Sequence, residues 1–328
     1  MAQDALQLLN GLQHDFPLAH RPFEAVAGRL GLTQRTLLER LRDCRREGQL
    51  SRIGAVWASG AGGAAALCAL AVPPDRLEAV AQAVNAHPGV NHNYEREHAW
   101  NLWYVLTGLQ ADAVRAQAQA IAQEAGCPAL FLPMVRAYRI DLGFDLRRAH
   151  AGASAPARPA AQPVADHERP LAALAEAGLP LVPRPFETWA GQLGWQTAEV
   201  LRTLRHWKQV GTLRRFGAVV RHHEFGFSAN AMTVIRAPEG QADAIGRALA
   251  TQPGVTLAYR RQTDPRWPYD LYFMVHARER SQAQALIVQA LAATGCTALP
   301  HATLFGLRRF KQTGGRYFSG PAVHEEYA

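Results

Sequence analysis

The sequence predicts an α+β protein built as a tandem repeat, each copy a winged helix-turn-helix followed by a βαββαβ domain that closes as a ferredoxin-like sandwich. Three observations carry this. Leu8–Trp57 aligns without a gap onto Leu171–Val220 at a constant offset of 163. That register places Arg21-Pro22-Phe23-Glu24 on Arg184-Pro185-Phe186-Glu187, and Gly48-x-Leu50-x-Arg52-x-Gly54-Ala55-Val56 on Gly211-x-Leu213-x-Arg215-x-Gly217-Ala218-Val219. Further on the match weakens but persists: His87-Pro88-Gly89-Val90 answers Gln252-Pro253-Gly254-Val255, Tyr94 answers Tyr259, and Cys127-x-Ala129-Leu130 answers Cys296-x-Ala298-Leu299. Between the copies, residues 151–165 are rich in Ala and Pro and lack periodicity, the composition of a linker.

The elements follow in order. Pro22 and Pro185 sit near helix starts, where a missing N–H costs nothing. After the turn at Gly31, Thr33 caps a helix with Leu37, Leu38 and Leu41 on one face, and Gly48 ends it, which is helix-turn-helix spacing with a wing to follow. Alternation and helical periodicity then give strands near 66–72, 90–97, 100–108 and 129–139, with helices near 75–86 and 111–125. The second copy repeats the order with strands near 229–236, 254–261, 269–277 and 299–310 and helices near 239–251 and 280–294. Winged helices are therefore expected at 1–57 and 169–220, αβ domains at 58–148 and 221–318, a linker at 149–168 and a tail at 319–328.

Composition excludes several classes. The chain has 328 residues, 48% apolar and 19% charged, with no apolar run near the ~18 residues that a membrane-spanning helix needs. Met1–Asn10 carries Asp4 and has no basic stretch before an apolar core, so a secretory signal is not expected and a cytoplasmic location is. Cys44, Cys68, Cys127 and Cys296 are far apart with no C-x-x-C pair, which argues against a disulfide framework or a structural zinc site, and no metal ligands are expected. The net charge is +8, and all of the 35 basic residues except Lys208 and Lys311 are arginine. A planar fork suits carboxylate or phosphate, so the partner is expected to be anionic, a nucleic acid or a polycarboxylate.

Chemistry-bearing residues cluster in the strands. Alternation over 90–98 puts His92, Tyr94, Arg96 and His98 on one face and Asn91, Asn93, Glu95 and Glu97 on the other. Such a polar row is costly to bury without partners, so it marks either a site or a solvated sheet face. In the second copy Tyr259 and Arg261 share a face, and the longer loop Gln262–Pro268, with Arg266 and Trp267, reads as a lid, a rim or a simple insertion. Arg52 and Arg215 hold the same wing position and suit either a carboxylate grip or salt bridges to Glu24 and Glu187. Arg136, Arg139, Arg308 and Arg309 are further candidates of that kind. His92, His98, His222, His223 and His276 are the candidate proton donors, imidazole having a reference pKa near ~6.5.

A helix-turn-helix with this wing, followed by βαββαβ, resembles the Lrp/AsnC architecture. His92-Asn93-Tyr94-Glu95-Arg96 with Asn101-Leu102-Trp103, Arg214–His223, Trp267-Pro268-Tyr269-Asp270-Leu271 and Met274-Val275-His276 resemble the siroheme decarboxylases, with two related subunits fused. The resemblance implies a carboxy-lyase that removes two acetate carboxyl groups from siroheme, giving didecarboxysiroheme on the way to haem or haem d1. It implies His92, His98, His222, His223, His276 and Tyr94 in catalysis, and Arg52, Arg96, Asn101, Trp103, Arg215, Tyr259, Arg261, Trp267 and Tyr269 in substrate binding. No cofactor beyond the substrate is expected, because the macrocycle itself is an electron sink. The fused chain is compatible with a homodimer. A DNA-binding regulator is the alternative, with Arg35, Arg40, Arg42, Arg45 and Arg46 on the first recognition helix, and a haem-responsive sensor is another. The recognition helices differ, Thr33-Gln34-Arg35-Thr36 against Gln196-Thr197-Ala198-Glu199, which suits an asymmetric ligand better than a palindrome.

Overall fold

The structure, a computed structural model, describes residues 8–14, 16–58, 60–140, 161–220 and 229–318. After a helical stretch at 8–12, the first copy contains α1 (Pro22–Arg29), α2 (Gln34–Arg46), β1 (Leu50–Trp57), β2 (Ala64–Leu70), α3 (Leu77–Ala86), β3 (Val90–Arg96), β4 (Leu102–Gly108), α4 (Ala111–Ala125) and β5 (Ala129–Ile140). The second contains α5 (Arg169–Ala177), α6 (Pro185–Leu193), α7 (Thr197–Gln209), β6 (Leu213–Val220), β7 (Ala229–Ile235), α8 (Ala242–Ala250), β8 (Val255–Arg261), β9 (Leu271–Ala277), α9 (Arg280–Ala293) and β10 (His301–Gln312). Each copy is thus a winged helix-turn-helix followed by βαββαβ. The copies are units of sequence but not of packing. One compact unit draws on Met1–Gly63, Ala157–Phe225 and Arg316–Ala328, the other on Ala64–Pro156 and Gly226–Gly315, so like domains associate across the repeat.

In the winged-helix unit, Thr33 accepts the Thr36 N–H at 3.1 Å and caps α2, whose Leu37, Leu38, Leu41 and Cys44 are buried. The two wings pair antiparallel, β1 with β6, and Gly54 faces Gly217. A Cβ at Gly54 would meet the Ala175 carbonyl at 2.5 Å, and one at Gly217 the Gln13 carbonyl at 2.5 Å, so this close backbone approach requires glycine at both places. The recognition helices are tied reciprocally: Arg42 donates to the Leu181 carbonyl at 2.7 Å and Arg205 to the Leu18 carbonyl at 2.6 Å.

In the αβ unit, eight strands close into one antiparallel barrel in the order β10-β3-β4-β2-β5-β8-β9-β7. Closure depends on β5 and β10, each 12 residues long. Ala129–Pro133 pairs with β2 while Met134–Ile140 pairs with β8, and His301–Phe305 pairs with β7 while Gly306–Gln312 pairs with β3. Alternation then sorts the side chains. Cys68, Leu70, Tyr104 and Leu106 pack beneath the helices of the first copy, and Ala231, Phe273, Val275 and Phe305 beneath those of the second. Leu67, Trp103, Leu132, Met232, Trp267, Tyr272, Met274 and Leu304 form a separate apolar cluster of the opposite faces, inside the barrel. Among the described residues no helix is long and apolar enough to cross a membrane.

Candidate active site in the barrel interior

The β3–β4 ladder sets His92 opposite Val105 and Tyr94 opposite Trp103, with Asn93 opposite the helix-side Tyr104. Asn93 donates to the Ala81 carbonyl of α3 at 3.2 Å, so His92, Tyr94 and Arg96 project the other way, into the barrel, as alternation predicts. His98 lies beyond the end of β3, exposed, where it accepts the Trp100 N–H at 3.0 Å. It does not join the row. His276 and His92 are not counterparts: β9 corresponds to β4, so the counterpart of His276 is Thr107, and that of His92 is Leu257 on β8.

A continuous polar network crosses this interior. Arg96, 5% exposed, donates through Nη1 to the Asn230 amide oxygen at 3.2 Å and to the Leu304 carbonyl at 3.1 Å. The Asn230 amide nitrogen meets His276 Nε2 at 3.0 Å, His276 Nδ1 meets the Thr256 hydroxyl at 2.8 Å, and that hydroxyl donates to the Met274 carbonyl at 3.2 Å. His92 Nδ1 contacts the Asn91 amide oxygen at 2.6 Å, and its ring lies beside Tyr94, centroids 6.2 Å apart. Arg96 also stacks over Tyr94 at 5.7 Å. Burial pushes the His92 imidazole down to about 4, and burial with the charge of Arg96 does the same to His276. Burial likewise lowers Arg96 to about 10, opposed by Tyr94 and Tyr259. The Tyr94 phenol is raised by burial against the pull of Arg96 and Arg309. His98 is lowered by burial.

The second copy offers a pseudo-equivalent position with different contents. Arg261 donates to the Leu132 carbonyl at 2.9 Å and stacks over Tyr259 at 4.8 Å, mirroring Arg96, Leu304 and Tyr94. The Nε atoms of both arginines are buried with no hydrogen-bond partner. Around Arg261, however, the ladders place Leu257, Ala137 and Met134 where the first position has His92, Arg309 and Gly306. Ala65 and Thr107 stand where Asn230 and His276 stand.

Trp267 has no counterpart in the shorter loop of the first copy. It is 2% exposed, donates Nε1–H to the Tyr272 hydroxyl at 2.8 Å, and packs on Trp103, His98 and Tyr269 at 5.3, 5.2 and 4.8 Å. The inserted loop is a plug rather than a free lid. Arg266 secures it by donating to Asp264 and to the Ala129 carbonyl. A cleft of about 640 Å³ lies against this loop, lined by Arg236, Arg260, Arg261 and Asp270 among others.

Several other candidates have structural duties. Arg52 donates to the Ala55 carbonyl at 3.1 Å, and Arg215 to the Gln13 and Ala218 carbonyls at 2.7 and 2.9 Å, all within the winged-helix unit. The sequence-level alternative fails too, because Glu24 pairs with Arg21 and Glu187 with Arg184. Asn101 is latched at both ends to the Val72 backbone, at 2.8 and 2.9 Å. Trp103 turns its Nε1–H to the Trp100 carbonyl and gives the interior its ring. Arg136 pairs with Asp243, Arg139 with the Ala250 carbonyl and Arg308 with Glu95 and Glu78, whereas Arg309 lies opposite Tyr94. His222 and His223 lie outside the described residues. Sequence reasoning missed Asn230, Thr256 and Gly306; the signal was an asparagine inside the apolar run Ala229–Ile235, where only a partnered polar group is tolerated. Among the described residues no cluster of His, Cys, Asp and Glu is arranged to hold a metal ion.

Fold and site together define a pair of ligand-binding αβ domains closed around one polar, arginine- and histidine-bearing interior. The model of the AsnC-like ligand binding domain matches residues 61–139 and 224–311, and that of the siroheme decarboxylase NirDL-like HTH domain matches residues 6–50 and 168–214. The chain belongs to the siroheme decarboxylase family. It is 43% identical over 314 residues to the siroheme decarboxylase NirDL subunit of Paracoccus pantotrophus, covering 94% of this chain and 95% of that one. It is 32% identical to the siroheme decarboxylase of Hydrogenobacter thermophilus, covering 97% and 96%. The crystal structure of a siroheme decarboxylase NirDL in complex with an iron-uroporphyrin III analogue matches with a TM-score of 0.68 at 29% identity, covering 97% of this chain and 95% of that one.

Proposed function

We propose that this chain is a carboxy-lyase that removes two acetate carboxyl groups from siroheme to give didecarboxysiroheme, in the formation of haem or haem d1. The observation that carries the reading is the asymmetry of the barrel: of two pseudo-equivalent positions, one alone collects His92, Asn230 and His276 around the shared Tyr–Arg pair, with the exposed Arg309 opposite Tyr94. One asymmetric tetrapyrrole with eight carboxylates suits such an interior, and the complex formed by the NirDL relative is of that chemical kind. Gly306, beside Arg96 and Asn230, leaves room for a ligand where the other copy carries Met134.

In the reaction the bond between methylene and carboxylate breaks, its electron pair passes into the macrocycle, and carbon dioxide leaves. The methylene carbon then takes one proton, so each carboxyl lost consumes one proton. The arginines hold the carboxylates that stay, with Arg96 and Arg309 flanking Tyr94. Imidazole is the natural proton donor to the methylene, and His92 and His276 occupy this position. Without substrate, burial favours their neutral forms; a polycarboxylate supplies the negative charge that draws a proton back onto them. The reading is tested by anaerobic incubation with siroheme and mass analysis. Loss of two molecules of carbon dioxide is expected, and siroheme bound but recovered intact points to a sensor instead.

A further inference from the structure

We propose that Asn230 is a positioning residue that couples the occupation of Arg96 by a substrate carboxylate to the protonation of His276. The proposal rests on the polycarboxylate reading above for its ligand, but its core concerns the free protein. A primary amide has one accepting end and one donating end. Arg96 has no acceptor to offer, so its contact at 3.2 Å fixes the oxygen of Asn230 towards β3 and the nitrogen towards His276. With an N–H facing it at 3.0 Å, His276 Nε2 must accept. The proton of the neutral ring then sits on Nδ1 and is donated to Thr256, whose hydroxyl passes its own proton to the Met274 carbonyl. Every donor in this chain points one way. An imidazolium, which donates from both nitrogens, does not fit it.

A carboxylate reaching Arg96 changes the balance. It brings the guanidinium a full negative charge and two acceptor oxygens, where the Asn230 amide offers a neutral oxygen, so it displaces that oxygen from Nη1. The amide then turns over, presents oxygen to Nε2, and accepts from an imidazolium. Space exists for the movement, since even a Cβ added at Gly306 would stand 3.9 Å from the Asn230 amide oxygen. Among the described residues, the titratable and charged groups on the inward faces of the strands around His276 are His92, Tyr94 and Arg96 of β3, Tyr259 and Arg261 of β8, Tyr272 of β9, and the exposed Arg309 of β10. Of these, Arg96 bears on the imidazole, by charge directly and by orienting Asn230. At the pseudo-equivalent place Ala65 stands for Asn230 and Thr107 for His276, and the Thr107 hydroxyl accepts from the Asn91 amide at 3.0 Å.

The test needs no ligand. Nitrogen-15 correlation spectra of the full chain, with His276 assigned through His276→Gln, report the tautomer and midpoint directly. The wild type is expected as the Nδ1–H tautomer with a midpoint near 4. Asn230→Asp, an acceptor on both sides, is expected to raise the midpoint by about 1–3 units. Arg96→Met removes a charge in any background, so its effect is compared in the wild type and in Asn230→Leu. A larger rise when Asn230 is present supports the relay. An Nε2–H tautomer in the wild type, or equal rises in both backgrounds, overturns it. Failure to bind iron-free uroporphyrin would count against the polycarboxylate reading and leave these free-protein results standing.

Discussion

At the β3 position the barrel interior holds His92, Tyr94, Arg96, Asn230 and His276, whereas at the β8 position the same places are taken by Leu257, Tyr259, Arg261, Ala65 and Thr107. The retained pair is informative. Both arginines cap a carbonyl of a crossing strand, Leu304 or Leu132, and stack on a tyrosine, so tyrosine and arginine are what barrel closure requires of each copy. What differs is what closure does not require: two imidazoles and an amide. Arg96 and Arg261 look alike in sequence and in their carbonyl contacts, and they differ in the polar groups that surround them.

The largest effect is expected from removing the imidazoles. His92→Ala or His276→Ala should lower siroheme turnover by about 100- to 10000-fold with a much smaller change in substrate affinity. Leu257→Ala, at the place equivalent to His92, should leave the turnover of the folded protein near wild type. Equal losses at Leu257 and His92 in single-turnover assays would abolish the distinction between the positions. Trp267→Ala comes next, because emptying a fully buried indole site costs about 3–5 kcal/mol, read as a fall in chemical-denaturation stability. A change smaller than about 1 kcal/mol would mean that the loop is a mobile lid.

Arg96→Met and Arg261→Met sharpen the comparison further. Each leaves a strand carbonyl without its donor, so both should lose stability by similar amounts, about 1–3 kcal/mol. Only Arg96→Met should also weaken siroheme binding, by roughly one to two decades. Absorbance titration decides this, and equal losses of affinity would make both positions substrate contacts. Arg52→Met and Arg215→Met, tied to carbonyls in the winged-helix unit, should leave affinity unchanged.

The smallest effect concerns pH. His92 and His276 titrate near 4 in the folded chain and near ~6.5 when unfolded, so between these values the unfolded chain binds more protons. The ligand-free protein should therefore lose stability as the pH falls from about 6.5 to about 4, with no contribution from these two groups above that window. Thermal melts should show a flatter profile in the His92→Gln, His276→Gln double variant.

Much of this was legible in the sequence. The ungapped register from Leu8 to Trp57 revealed the domain types, and period-two alternation placed His92, Tyr94 and Arg96 on one face because a half-buried strand has only two. The rest is non-local. Asn230 meets Arg96 across 134 positions, through a β10 that leaves β7 to pair with β3, and no local pattern encodes that crossing. The wing arginines depend on non-local contacts as well: Arg52 and Arg215 precede a glycine that admits a neighbouring backbone, and Arg215 reaches the Gln13 carbonyl across 202 positions.

The crossing strands have a consequence for how the chain comes off the ribosome. Met134–Ile140 has its partner in Val255–Arg261, which does not yet exist when the first copy is complete. At about 5–20 residues per second, the outer half of β5 waits roughly 6–24 s with its backbone edge open, a template for any other unpaired strand nearby. Val135, 53% exposed even in the finished fold, sits at the start of that edge. During this interval the nascent chain is most in need of a holding chaperone, and slowing translation should favour the wrong partner: a second nascent copy.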